Sequence, residues 1–236
     1  EYMRDWRQYE ARSAAGAKDL RPPKRDLRLE TLSGVLRGEI LVQHHCYRAD
    51  EMAIVIDMAR EFGYRVSAFH HATEAYKISN LLAENNVCAA VWADWWGFKM
   101  ESYDAIPENM ILVDAAPGGC TVIHSDSAEG IQRLNQEAAK GMAFGKRMGV
   151  DIKPEHAIRW LTANAAKAIG LEKSIGTLEN GKMADVVVWN GNPFSVYALT
   201  EKIYIDGALR FDRSAPRELP ESDFLLGQPA AAGVIR

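Results

Sequence analysis

The feature that most limits this chain is a rhythm. Between residues 40 and 148, a short apolar run, a polar end to that run and a helix-spaced stretch recur four times. Ile40-Leu41-Val42 leads to His44, His45 and Cys46; Asp50 to Phe62 then carries apolar residues at helical spacing and stops at Gly63, a C-terminal cap. Tyr64 to Phe69 reads as a strand ending in His70-His71, with a helix from Glu74 to Glu84. Val87 to Trp92 is a third strand, followed by a loop holding Asp94, Trp95, Trp96 and Lys99 and a helix from Pro107 to Ala115. Cys120 to Ile123 is a fourth, ending in His124-Ser125-Asp126. The helical stretch after it runs from Glu129 to Met148, with a break expected near Gly141 or Gly145. Strand, polar end and helix, roughly every 25 to 30 residues, is the pattern of βαβ units on a parallel sheet. Short apolar strands of this kind are expected to be buried on both faces.

The flanks differ. Residues 2 to 12 read as a charged helix leading into GAKDLRPPKRD, where Pro22-Pro23 forbids helix and marks an exposed connector. After the fourth unit, PEHAIRWLT and ANAAKAIGL read as helices, with Pro154 placed at a helix start. Beyond Gly176 the texture turns to β. Ala184 to Trp189 and Lys202 to Asp206 read as strands, with Asn180-Gly181 as a tight turn. From Ser214 onward the chain is Pro- and Ala-rich and reads as irregular.

Four βα units fit two architectures. An eight-stranded barrel takes about 250 residues, and the four units here occupy about 110. Half a barrel alone leaves two open strand edges and a bare interior. The sequence therefore leaves open a doubly wound sheet, or a barrel whose other strands lie elsewhere. The length of 236 residues allows one large domain or two small ones. With 47% apolar and 25% charged residues, it is a folded chain and not a disordered one. A net charge of −4 with no basic cluster excludes nucleic acid as an expected partner. No apolar run approaches the roughly 20 residues of a membrane span, so no membrane partner is expected. Three cysteines, Cys46, Cys88 and Cys120, form no CxxC pair; they exclude a four-cysteine zinc module and leave room for one bridge. The chain opens on Glu1 with no signal-peptide pattern. The expectation is an upstream removal or a numbering that starts inside a longer polypeptide, with the compartment unreadable.

Histidine placement carries the chemistry. Five of six histidines (His44, His45, His70, His71 and His124) sit at the ends of three strands, and His156 sits on a helix. In parallel α/β folds those strand ends build the active site. Imidazole suits Zn, Fe or Ni, and Asp126 adds a hard oxygen. A strand-end histidine taken alone is more often a hydrogen-bonded packing residue than a ligand, and two His pairs on adjacent strands with an Asp on a third are harder to dismiss. Neighbouring strand residues face opposite ways, so at most one of each His pair is expected to point into a site. Asp94, Trp95 and Trp96 line a pocket or plug the mouth above it. Arg48 and Lys99 are carboxylate binders or ordinary surface charges. Nothing marks Cys46 as a nucleophile, and Gly118-Gly119 is a turn, not a phosphate loop.

In these motifs the chain resembles the metal-dependent amidohydrolases, in the branch related to imidazolonepropionase. The resemblance is carried by HCYRADEM, HHATEAYKI, HSDSAEGIQRLNQEAAK, LTANAAKAIGL and IGTLENGKMADVVVWNGNP, and covers about Pro22 to Arg213. In that family an H-x-H pair ends strand 1, a carboxylated lysine or glutamate sits on strand 4, single histidines on strands 5 and 6, and an aspartate on strand 8. Matched motif by motif, His45 takes the strand 5 place, His71 the strand 6 place and Asp126 the strand 8 place, with His44 and His70 as outward neighbours. No H-x-H occurs in this chain. The resemblance therefore implies the C-terminal part of a (β/α)8 TIM barrel, strands 5 to 8, plus part of a small β-sandwich. Its divisions are a helix and linker over 1–30, the partial barrel over 31–175, part of the sandwich over 176–213 and a tail over 214–236.

The implied activity is hydrolysis of a C–N bond in an amide or cyclic amide by metal-activated water. The implied metal is divalent, Zn above others, as one or two ions held by His45, His71 and Asp126. Asp126 is the implied general base, and Arg48, Trp95 and His124 the implied substrate contacts. A small-molecule substrate, an N-terminal half or second chain to complete the barrel, and self-association are the implied partners. The isolated chain is expected to be inactive or weak. Two other readings stand beside this one: a non-catalytic subunit that docks through an exposed barrel edge, and an unrelated doubly wound binding domain with structural His pairs.

Overall fold

In the computed structural model, residues 1–95 and 97–215 are described; Trp96 and most of the tail expected over 214–236 lie outside them. The first helix, α1 (Tyr2–Ala14), carries Tyr2, Trp6 and Tyr9 on one face, with edge-on ring contacts at 6.3 and 5.8 Å. Helix α2 (Leu27–Leu36) starts where the Asp26 carboxylate accepts the backbone N–H of Arg28 and Leu29, an N-cap. It runs through the division expected at residue 30.

The four units follow in order. Strand β1 (Val42–Cys46) leads to α3 (Ala49–Phe62), which ends at Gly63 in the left-handed conformation, φ 72°. Strand β2 (Val66–His71) is followed by a 3-10 turn and α4 (Ser79–Glu84), and β3 (Cys88–Val91) by α5 (Asn109–Ala115). Strand β4 (Thr121–Ile123) is followed by a 3-10 turn and α6 (Leu134–Arg147). Helix α6 does not break at Gly141 or Gly145, contrary to expectation. A Cβ on Gly141 would lie 2.3 Å from Met110 Sδ, and one on Gly145 2.7 Å from Ile152 Cδ1, so both glycines admit close neighbours. Pro154 opens the short α7 (Pro154–Ala157), and α8 is Ala163–Ala168.

The parallel sheet has the order β1-β2-β3-β4. A doubly wound sheet reverses its strand order at a switch point. Here each strand adds beside the last, which is the winding of a TIM-barrel-type α/β fold and removes the doubly wound alternative. One face of the sheet presents Phe69, Val91 and Ile123 to Met52, Ile56, Leu82, Met110, Val113 and Trp160 of the helical layer. On the other face the small residues Ala68, Cys88, Ala90 and Cys120, with Val122, lie under Ala165 and Ala168 of α8. Asn164 Nδ2 donates to the Thr121 carbonyl at 2.8 Å, seating that helix. A disulfide joins Cys88 to Cys120, the single bridge the cysteine count left room for.

Burial on both faces holds for β2, β3 and β4 apart from the half-buried His70. Strand β1 departs from it: Gln43 and His45, on the side away from the helices, are exposed. The last three strands, β5 (Val186–Trp189), β6 (Thr200–Ile205) and β7 (Ala208–Asp212), form a separate antiparallel sheet. Asp206 and Gly207 turn β6 into β7 with φ of 50° and 75°, both positive as a two-residue type I′ turn requires. Among the described residues no helix is long and apolar enough to cross a membrane.

Candidate active site

The C-terminal ends of β1 and β2, with the residue after β4, gather four imidazoles. Register pairs His45 with His70, which places both on the face away from the helices. His71 would face the other way by strand alternation, but its φ is 71° and that of Ala72 is 39°. Such backbone costs about 1–3 kcal/mol at a non-glycine residue and here swings the His71 ring into the group. His45 Nδ1 and His71 Nε2 lie 2.7 Å apart, so one carries the proton the other accepts. The His70 ring stacks near His45 at 5.7 Å, and His124 lies 5.1 Å from His71 and 5.9 Å from His70. The expectation that only one of each pair faces the site fails at His70-His71, because the left-handed turn breaks the alternation. It holds at His44, whose ring lies on the other side, 6.2 Å from Phe69.

An aromatic wall closes the group. Tyr47 stacks on His71 at 4.8 Å, His71 on Trp92 at 4.5 Å, and Trp92 on His124 at 5.0 Å and on Trp95 at 5.7 Å. Trp92 Nε1 donates to the Ser125 carbonyl at 2.9 Å, tying the end of β3 to the loop after β4. Sequence reasoning passed over Trp92 and Tyr47. The available signal was positional, since Trp92 follows β3 as His124 follows β4.

Burial sets the protonation states. The His124 pKa is pushed down to about 3 by burial and then by the neighbouring His71, His70 and His45. That of His71 is pushed down to about 4 by burial and by His45, with Asp126 pulling partly the other way. His70 is lowered by burial and His45, and His44 by burial. These rings are neutral at physiological pH and keep a lone pair. Burial and the Glu51 charge push the Cys46 thiol up to about 11, so it stays protonated and is no nucleophile.

The remaining expected residues are placed unevenly. Asp126, φ 48°, is exposed on the loop after β4, where its charge reaches His70 and His71. Trp95 is 44% exposed at the outer end of the aromatic wall. Arg48 is bidentate to Asp50, 3.0 Å at both contacts, and its charge is spent there. Asp94 is clamped by Lys140 Nζ at 3.0 and 2.9 Å, so it braces the loop and does not line a pocket. Trp96 lies outside the described residues.

The donors fit a divalent metal in kind. His71 Nδ1 is buried with no hydrogen-bond partner, and an unpaired buried nitrogen on a neutral imidazole suits a borderline cation; His124 Nε2 is likewise buried and unpaired, free to face a ligand. They fall short in number. Among the described residues no group of three or more His, Cys, Asp or Glu side chains stands at metal-holding spacing.

Residues 36–217 match the model of the Amidohydrolase family. Amidohydrolase tasK of Hapsidospora irregularis is 30% identical over 243 residues, covering 98% of this chain and 24% of that protein. Imidazolonepropionase of Thermoplasma volcanium is 32% identical over 123 residues, 48% of this chain and 28% of that protein. The crystal structure of an amidohydrolase from Thermotoga maritima superposes with a TM-score of 0.74 at 32% identity, covering 90% of this chain and 54% of that one. An adenosine deaminase from Xanthomonas campestris with bound Zn shares the fold at a TM-score of 0.52 and 18% identity, covering 84% of this chain and 50% of that one. The chain thus spans 24% and 28% of the length of these two curated relatives.

Proposed function

The chain belongs to the amidohydrolase family, and from that premise we propose that it forms part of a metal-dependent enzyme that hydrolyses the C–N bond of an amide or cyclic amide. In this reading β1 to β4 are strands 5 to 8 of the barrel, within residues 31–175. Residues 176–213 form part of a small β-sandwich, with 1–30 as helix and linker and 214–236 as a tail. The observation that carries the reading is the set of four imidazoles, two with unpaired buried nitrogens, at the ends of sequentially ordered parallel strands.

His45, His71 and Asp126 would hold the metal, with further ligands from strands outside these residues. A divalent ion, Zn above others, supplies a nucleophilic water at neutral pH. The Asp126 carboxylate takes a proton from the attacking water and delivers it to the leaving nitrogen as the C–N bond breaks. His124 stays neutral through burial and offers an N–H, not a charge, to the scissile carbonyl oxygen. Trp95 supplies a flat wall for the substrate. We leave Arg48 out of the substrate contacts, because Asp50 holds its guanidinium.

Exposure of Gln43 and His45 on β1 supports a second polypeptide segment at that edge, either the remaining barrel strands or another subunit. The same exposure, with the short donor set, favours one alternative: a non-catalytic subunit that docks through this edge. Zn2+ titration of the metal-free chain, followed by tryptophan fluorescence, tests the metal reading. His45→Ala and His71→Ala are each expected to weaken binding at least about tenfold; unchanged binding in both overturns it. Turnover of N-acyl amino acids and cyclic amides by the chain alone is expected near background. A kcat of about 10 s−1, ordinary for an enzyme, with no other polypeptide present would sink the incomplete-site reading.

A further inference from the structure

Gln43 sits on β1 two residues before His45 and on the same face, and both ends of its amide are engaged. Its Nε2 donates to the Ala168 carbonyl at 3.3 Å, and its Oε1 lies 2.7 Å from His70 Nε2. Ala168 is the last residue of α8, where helix carbonyls lack intrahelical partners, so this one is open to a side-chain donor. Register explains the second contact. Gln43 pairs with Ala68 and His45 with His70, so the long Gln43 side chain reaches forward along β2 to the ring beside His45.

Donor and acceptor roles along this link are forced. A backbone carbonyl only accepts, so the amide nitrogen of Gln43 is the end that faces Ala168. Its oxygen then faces His70, and an amide oxygen only accepts as well. His70 Nε2 therefore carries a hydrogen, and on a neutral ring Nδ1 is left with a lone pair. A flipped amide would set two oxygens against each other at Ala168.

We propose that Gln43 is a positioning residue that holds His70 as the Nε2–H tautomer, and that His70 is a further binding residue of the site, its bare Nδ1 accepting a hydrogen bond from an N–H of the substrate. The inference rests on the amidohydrolase reading of the same site and names one substrate feature: an amide or ring nitrogen that carries hydrogen.

His70 stands within the imidazole group and apart from its internal hydrogen bond. Its ring stacks near His45 at 5.7 Å and meets His124 edge-on at 5.9 Å. It is half-buried, so a ligand can approach it. His45 Nδ1 and His71 Nε2 are engaged with each other at 2.7 Å, and there either ring can hold the hydrogen. At His70 the Ala168 carbonyl decides, acting through the Gln43 amide. A substrate N–H arriving at this ring meets an acceptor already in place, with no hydrogen to relocate.

The test is a long-range 1H–15N spectrum of the metal-free chain carrying 15N-histidine, recorded at pH 8, above the ordinary histidine range. The His70 signals are assigned by their loss in His70→Asn. Wild-type His70 is expected as a single Nε2–H tautomer, with one protonated and one bare ring nitrogen. Gln43→Leu is expected to bring the two nitrogens together in shift, as the hydrogen exchanges between them, and to leave the His124 signals in place. Gln43 is exposed, so this variant should keep the wild-type urea midpoint. 2-Pyrrolidinone, a cyclic amide with an N–H, is expected to move the His70 Nδ1 signal on titration, and N-methyl-2-pyrrolidinone, which has none, to leave it still. In Gln43→Leu the affinity for 2-pyrrolidinone is expected to fall about two- to tenfold, the worth of one neutral hydrogen bond. A wild-type His70 with its hydrogen on Nδ1, an unchanged tautomer in Gln43→Leu, or equal Nδ1 shifts with the two amides, zero included, overturns the proposal. No metal enters these readouts, so their failure is distinct from that of the parent reading, which would show as Zn2+ binding indifferent to His45 and His71.

Discussion

The two sheets of this chain are built from equally apolar strands and end in opposite environments. Every residue of β3 and β4 is buried, between a helical layer on one face and α8 on the other. In the antiparallel sheet Val187 is 46% exposed, Leu209 49% and Ile205 52%, and β7 opens with three exposed residues. Apolar sequence does not bury a strand; a covering element does. The imidazole group stands on the covered sheet, where neighbouring backbone fixes each ring. The antiparallel sheet leaves much of its apolar surface exposed.

That contrast can be broken, first at the core. Phe69→Ala, fully buried in the parallel sheet, is expected to cost about 3–5 kcal/mol in urea unfolding. Val187→Ala in the antiparallel sheet is expected to cost less than about 1 kcal/mol. Equal costs would mean the second sheet is as well supported as the first. The Cys88–Cys120 bridge, 32 residues apart, comes next. Its reduction is expected to remove about 3–4 kcal/mol by the loop-closure model, and a midpoint unmoved by reductant would count against a closed bridge in solution.

Glycines sharpen the comparison further. Gly141→Ala meets Met110 and Trp160 and is expected to destabilise by about 1–3 kcal/mol despite alanine's better helix propensity. Gly191→Ala, between β5 and β6, has open space around it and is expected to stay within about 0.5 kcal/mol. A neutral Gly141→Ala would show a softer core than the contacts imply.

A more gradual effect is a pH slope confined to the parallel sheet. His71 and His124 have folded pKa values of about 4 and about 3, below the ordinary 6.5. The unfolded chain therefore binds more protons in that window. Stability is fully present above pH 6.5 and is lost as pH falls toward 4 and then 3. Allowing for water access, the loss in the metal-free chain is expected to be on the order of 1 kcal/mol per pH unit. Urea midpoints at pH 7.5, 5.5 and 4.5 check it; a flat profile would mean the rings are better solvated than their burial implies.

Much of the architecture was legible in local patterns. Each predicted parallel strand overlaps its observed place, the first at Val42 alone, Gly63 caps α3 as expected, and Pro154 opens α7. Strand β7 was missed although Asp206-Gly207, a hairpin signal, stands directly before it. Leu209-Arg210-Phe211-Asp212 alternates apolar and polar as well, so the signal was present; the segment is short and pairs with β6. The break placed at Gly141 or Gly145 was wrong for a different reason. Glycine in a helix weakens it locally, but here Met110 and Ile152 occupy the space a Cβ would take, and packing prevails over propensity.

At the site, the sequence by itself determined which residue types stand at the strand ends, because alternation, turn residues and helix caps act over a few neighbours. Local pattern set six candidates there, five histidines and Asp126, and the family resemblance picked His45, His71 and Asp126 from them with His44 and His70 as outward neighbours. Tertiary structure decided that both His70 and His71 join the group: strand register sets His70 beside His45, and a left-handed φ overrides alternation at His71, whose ring is held by Tyr47, Trp92 and His124. Charge pairing divides the same way: Asp50, which holds Arg48, is a near neighbour in sequence, whereas Lys140 reaches Asp94 across 46 positions, a partner that only packing in space supplies.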